Sequence, residues 1–231
     1  MEFLDNVGRN RLGDALAKSI DEGAKLSIIS SYFTVFAFSE LKEELEKVDS
    51  VRFLFSEPTF VKRMATDKDP RQFAISQCSR ERGVGGLGLE LTLRNNLNQR
   101  AIARECAEWV RTKCEFQSAK MNGAIQPGGT YIVENPNGDD HAFMGAAADF
   151  TQEGLGYERR PNTVMGVSHY EGATEVAGLK AMFESVWDKP AMVADVTDEV
   201  AAQVGTLYRE NPPEFVYFLT LYHLFRDYLS D

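Results

Sequence analysis

No stretch of this 231-residue chain approaches the roughly 20 apolar residues that a membrane span requires. The most apolar segment, Phe215 to Phe225, is too short and carries His223. Positive charge is also scarce. There are 25 Lys+Arg against 35 Asp+Glu, a net of −10, which opposes non-specific binding to a polyanion and leaves any DNA contact to a local basic patch. The three cysteines, Cys78, Cys106 and Cys114, are an odd number without metal-type spacing. Cys106 and Cys114 fall in a helical pattern, so we expect buried free thiols, no zinc site, and a reducing, cytoplasmic setting. The opening MEFLDNVGRN has acidic residues and no apolar core, so no secretory signal is expected.

Catalytic signatures are equally thin. Nucleophile elbow, P-loop and Walker-B-like acidic box are all missing. The histidines, His141, His169 and His223, are scattered, which argues against both a metal site and a triad. His141 is expected to be a surface residue near a strand start, and His223 a packed one. GVGGLG (83–88) matches G-x-G-x-x-G, but dinucleotide binding needs a strand before it and a helix after it. Here a charged, helix-like segment precedes it and LELTL follows, so we expect a loop and no cofactor.

What is present is a globular α/β pattern. The 43% hydrophobic and 11% aromatic content suffices for a core. RLGDALAKSIDE (11–22) places Leu12, Ala15, Leu16, Ser19 and Ile20 on one helical face, stopped by Gly23. KLSIISSYF (25–33), FSELKEELEKV (38–48) and VRFLFS (51–56) then read as strand, helix and strand, hence a βαβ unit with parallel pairing. DPRQFAISQCSRERG (69–83) reads as helix, GLELTLR (88–94) alternates like a strand, and QRAIARECAEWVRTKC (99–114) is a helix with Ile102, Cys106, Trp109 and Val110 inward. EFQSAKMNGAI, TYIV and HAFMGAA read as short strands separated by the turns QPGG (126–129) and ENPNGDD (134–140), and NTVMGVSHY (162–170) as another. Beyond it the pattern is helical to the end. TEVAGLKAMFESVWD and TDEVAAQVGTLYRE are amphipathic, and EFVYFLTLYHLF, entered through Asn211 and Pro212, is apolar on nearly every side. The helical pattern runs to the last residue, which suggests a chain that continues.

One constellation remains: Ser118-Ala119-Lys120, followed by HAFMGAAADFTQEGLG (141–156). Here the sequence resembles the phospholipase D-like superfamily, whose motif is H-x-K-x4-D followed by a G-S-x-N-F-T turn and a later Gly-Leu. The opening run from Leu12 to Ser56 looks like the first helix and βαβ unit of the single-motif, nuclease-like branch. The resemblance covers most of residues 11–170. It implies a mixed sheet flanked by helices, with domain boundaries of 1–170 for the α/β domain and 171–231 for a helical extension. In that family a histidine attacks phosphorus, a second motif's histidine protonates the leaving oxygen, and lysine and asparagine hold the phosphoryl oxygens.

Residue by residue the site is degraded. Ser118 falls at the nucleophile, Lys120 retains the lysine, and Ile125 replaces the aspartate. Ala146, Ala147, Ala148, Asp149, Phe150 and Thr151 match the turn loosely. Asp149 stands where a donor amide is wanted, and a carboxylate accepts but repels phosphate. A downstream acidic position falls near Val164. We therefore expect no intact catalytic residue, no metal and no cofactor.

The order of elements, with a run like NPPEFVYFLTLY near the end, is also similar to the N-terminal region of large bacterial proteins in which a Swi/Snf-type superfamily 2 helicase follows. This implies a non-catalytic accessory module that positions nucleic acid or docks onto a following helicase domain. Lys120, with Arg100, Arg104, Arg111 and Lys113, would supply the basic patch, although a solvated helix face is the preferred reading of the last four. The alternatives are a metal-independent phosphodiesterase acting as a homodimer, and a pure interaction module using the apolar final helix.

Overall fold

The computed structural model describes residues 2–6, 10–59, 88–125, 128–158 and 166–206. The readings placed on residues 69–83, on most of GVGGLG, and on Cys78, Val164, Asn211, Pro212, His223 and the final apolar helix fall outside the described residues.

The chain is mixed α/β. Among the described residues eight strands, numbered in chain order, form one sheet in the order β1-β7-β6-β5-β2-β3-β4-β8. The βαβ unit forms as expected: β2 (Lys25–Ser30) and β3 (Ser50–Phe55) pair in parallel, Lys25 with Ser50 through Ser30 with Phe55. β4 (Cys114–Ala119) adds a third parallel strand. These strands lie in the middle of the sheet with cores on both faces, which is why KLSIIS and VRFLF carry near-continuous apolar runs. β5 (Gly129–Glu134) runs antiparallel to β2, followed outward by β6 (His141–Gly145), β7 (Val167–Glu171) and β1 (Glu2–Leu4), all antiparallel. Strands β4 and β5 are thus separated by β3 and β2, and the hairpin is β5–β6.

Alternation of side chains across the sheet divides the interior in two. On one face Leu26, Ile28, Phe53, Phe55, Phe116, Tyr131 and Phe143 pack with residues of α1 (Leu12–Ser19), α2 (Val35–Glu40), α3 (Lys42–Leu45), α4 (Gly88–Lys113) and α6 (Thr197–Thr206). On the other, Ile29, Leu54, Ile132 and Ala142 meet Val176 and Phe183 of α5 (Ala173–Trp187).

Four local readings change. The first helix ends at Ser19, before Gly23, because Ile20 is already extended. The helix read over 38–48 is instead two short helices, Val35–Glu40 and Lys42–Leu45, broken at Leu41, though Leu41, Leu45 and Val48 are all buried as their spacing implies. GLELTLR is helical rather than extended, the first two turns of α4. Leu89, Leu91 and Leu93 fit a strand period, but Leu89, Leu93 and Leu97 fit a helix equally, and continuity with the strong helix after Gln99 decides between them. Finally, the segment after β7 is not purely helical. β8 (Val193–Asp195) pairs with β4 and caps that edge of the sheet.

Cys106 and Cys114 are buried free thiols, and burial pushes both well above the ordinary thiol range. The thiolate is the reactive form. Both are therefore expected to stay unmodified by a thiol-specific disulfide reagent in the native chain and to react once it is unfolded in guanidinium. Peptide mapping of the labelled sites checks this.

Candidate functional site

The carboxyl ends of β2, β3 and β4 lie at one edge of the sheet, together with the start of β5 and the end of β6. This is the edge at which open parallel sheets bind ligands. Ser30, Ser56 and Ser118 stand there, and the turn after Gly145 folds over it. β2 ends in Ser30 and β3 is followed directly by Ser56 (KLSIIS, VRFLFS), a signal visible in the sequence.

The turn is laced to the β2–α2 connection. Asp149 Oδ1 accepts from Ser30 Oγ at 2.9 Å and from the Ser31 amide at 2.8 Å. Ser30 Oγ in turn accepts from the Phe150 amide at 2.9 Å. The Thr34 amide donates to the Phe150 carbonyl at 3.2 Å, and Thr34 Oγ1 caps α2 by accepting from Ala37 N at 3.1 Å. Phe150 stacks on Phe33, with ring centroids 5.4 Å apart. Thr151 Oγ1 accepts from the Gly154 amide at 2.9 Å. Asp149 and Thr151 are thus committed to holding the turn.

The motif positions are committed as well. Ser118 is fully buried. Its hydroxyl accepts from the Thr59 amide at 2.8 Å and donates toward the Glu57 carbonyl at 3.3 Å. Lys120 is exposed, its ammonium donating to the Pro190 carbonyl at 2.5 Å. Ser31 and Ser56 share a hydroxyl–hydroxyl bond of 2.9 Å. Ile125 is buried and lines an apolar pocket of 480 Å³ with Ile29, Met144, Ala146, Met182 and Val186. Among the described residues this edge offers hydroxyls, the Asp149 carboxylate and the Lys120 ammonium, but no imidazole. Such a set can hold a loop or a small polar group but has no activated nucleophile of the phosphodiesterase kind.

The basic residues of α4 divide. Arg100, Arg104 and Arg111 share one stripe by helical spacing, with Glu108 inside it. Arg104 and Arg111 are exposed and Arg100 is half-buried. Lys113 lies elsewhere on the helix, its ammonium donating to the carbonyls of Glu46 at 2.6 Å and Val48 at 2.7 Å.

The histidines correct the sequence reading. His141 does begin a strand, but it is mostly buried rather than a surface residue. β7 lies beside β6, so His169 comes within 3.2 Å of it, Nδ1 to Nε2. Burial pushes His169 below the ordinary imidazole range, His141 adds to this, and Glu171 and Glu2 oppose it. His141 sits at the opposite end of β6 from the turn, about 13 Å from Gly145 at the usual rise of a strand, with His169 in register with Phe143 on β7. His141 is therefore no substitute for the missing nucleophile. Comparison with family models and with curated proteins finds nothing that matches this chain. Among the described residues no helix is long and apolar enough to cross a membrane.

Proposed function

We propose that this chain is a phospholipase D-like module that has lost its phosphodiesterase chemistry. In this reading it is an N-terminal accessory part of a bacterial superfamily 2 helicase-related protein, working in the cytoplasm to position nucleic acid or dock the motor. The observation that carries the reading is Ser118. Where phosphorus would need an imidazole, the chain has a buried hydroxyl already held by the Thr59 amide. The mixed sheet with helices on both faces, and the gathering of Ser118, Lys120 and the 146–151 turn at one edge, support the fold assignment. Ile125 in an apolar pocket and Asp149 spent on the β2 end support the loss of chemistry.

The test uses the full chain. Incubation with supercoiled plasmid in EDTA is expected to give no nicking above buffer, with no difference between the parent and Lys120→Ala. EDTA-resistant cleavage that Lys120→Ala abolishes overturns the proposal in favour of a working phosphodiesterase. Fluorescence anisotropy with labelled DNA separates the two roles. If Arg100, Arg104 and Arg111 contact three phosphates, affinity should fall about 40-fold between about 50 and 200 mM salt. The double charge reversal Arg104→Glu with Arg111→Glu should abolish binding. No binding at low salt removes the nucleic-acid role and leaves docking.

A further inference from the structure

Away from the motif edge, the outer strands gather a set of side chains that the sequence scatters. His141 pairs in register with Glu171, Phe143 with His169, and Glu2 with His169. Opposed residues of an antiparallel pair project to the same face, as do residues two apart. The register therefore places His141, His169, Glu171 and Glu2 on one side of β6, β7 and β1. His141 Nδ1 and His169 Nε2 are 3.2 Å apart, and Glu171 Oε1 lies 3.8 Å from the first and 3.6 Å from the second. All three atoms fall within 4.8 Å of one another.

We propose that His141 Nδ1, His169 Nε2 and Glu171 Oε1 form a binding site for a divalent transition metal of the zinc type, with water in the fourth position. Zinc bonds to imidazole and carboxylate at about 2.0–2.1 Å, so ligand atoms at tetrahedral corners stand about 3.4 Å apart. The observed triangle is within a few tenths of an ångström of that, and modest rotation of the carboxylate closes it. Glu171 is 61% exposed on its side chain, which supplies both the freedom for this movement and access for water.

The outer nitrogens provide an independent argument. Metal-bound histidines present their second nitrogen to a carboxylate or carbonyl, which fixes the ring and the tautomer. His141 directs Nδ1 inward, and its Nε2 lies 3.7 Å from Asp139 Oδ2. His169 directs Nε2 inward, and its Nδ1 lies 3.7 Å from Glu2 Oε2. Each ring thus has a carboxylate at the nitrogen the metal would leave free. His169 is further held by stacking on Phe143, at 4.3 Å between centroids and 7° between planes. Two imidazoles with one carboxylate suit zinc, cobalt or nickel in preference to calcium or magnesium, which favour all-oxygen sites.

The experiment is equilibrium dialysis of the full chain, freed of any polyhistidine tag and stripped of metal, against zinc chloride, followed by elemental analysis. One zinc per chain is expected, with loss of stoichiometric binding in Glu171→Gln and in His141→Gln. Asp139→Asn, which touches only an outer nitrogen, should weaken binding about 10-fold. Cobalt(II) should give the intense visible bands of a four-coordinate site without thiolate charge transfer. The proposal is overturned by the absence of stoichiometric zinc, by binding that survives both ligand substitutions, or by a thiolate band that assigns the metal to cysteines. Glu171 is exposed, so Glu171→Gln tests the site with little risk to the fold, and circular dichroism verifies that. None of these results depends on whether the Ser118 edge is catalytic.

Discussion

Phe53→Ala is expected to destabilise the chain by about 3–5 kcal/mol, the range for truncating a fully buried aromatic in a core that cannot close over the cavity. The site argues for such rigidity. Phe53 meets Phe33 edge-on at 5.5 Å, Phe55 at 4.9 Å, Phe116 at 5.2 Å and Phe150 edge-on at 6.0 Å. Those partners come from the β2–α2 connection, β3, β4 and the 146–151 turn, so four segments lose a common neighbour. The loss should register as a fall in the denaturant midpoint. Hydrogen exchange should show the 146–151 turn losing protection before the sheet centre, because Phe33 and Phe150 hold the turn down. A loss below about 1 kcal/mol would mean that the cluster repacks freely.

Gly129→Ala is expected to be comparably damaging, for a different reason. A Cβ on Gly129 would stand 1.6 Å from the Ala148 carbonyl oxygen, which is backbone and cannot swing aside. The same oxygen accepts a 2.7 Å bond from the buried Tyr131 hydroxyl, so moving it also breaks that bond. Overpacking typically costs about 1–3 kcal/mol, and adding a buried unsatisfied hydroxyl at about 1–3 kcal/mol brings the expected total to about 2–6 kcal/mol. Gly178 in α5 provides the control. It is exposed and a Cβ there meets nothing within 4 Å, so Gly178→Ala should stabilise the chain by about 0.5–1 kcal/mol. Thermal melts of the two variants should move in opposite directions.

The glycine contacts also explain why a run of small residues surrounds the turn. Gly129 is paired with Gly145, and a Cβ on Gly145 would stand 2.9 Å from the Gly166 carbonyl. β5 and β6, with the residue just before β7, thus bring glycine to one edge, and the turn settles onto the space this leaves. In the sequence the run GAAAD leads into the turn that loosely resembles G-S-x-N-F-T. In the fold its small side chains serve close backbone approach, and Asp149 serves the carboxyl end of β2.

Much of the architecture was legible locally. The alternation of strand, helix and strand in residues 25–56 specified a parallel pair, and the spacing of Ile102, Cys106, Trp109 and Val110 specified the buried face of α4. Where periodicities overlap, as in GLELTLR, a short window carried both answers and the longer helix decided. The candidate edge was partly legible: Ser118, Lys120 and Asp149 stood out by their resemblance to a known motif. Their hydrogen-bond partners did not, because Thr59, Pro190, Ser30 and Ser31 reach them only through strand order.

Taken alone, the sequence determined most of the element types, the apolar stripes and the presence of serine rather than histidine at position 118, because each depends on composition or on spacing within a few residues. Only the tertiary structure decided that β7 lies between β6 and β1. That choice joins His141 to His169 and Glu171 across 28 and 30 residues of chain. Sheet order is set by which apolar faces can be buried together over the whole domain, and no short window of residues contains that information.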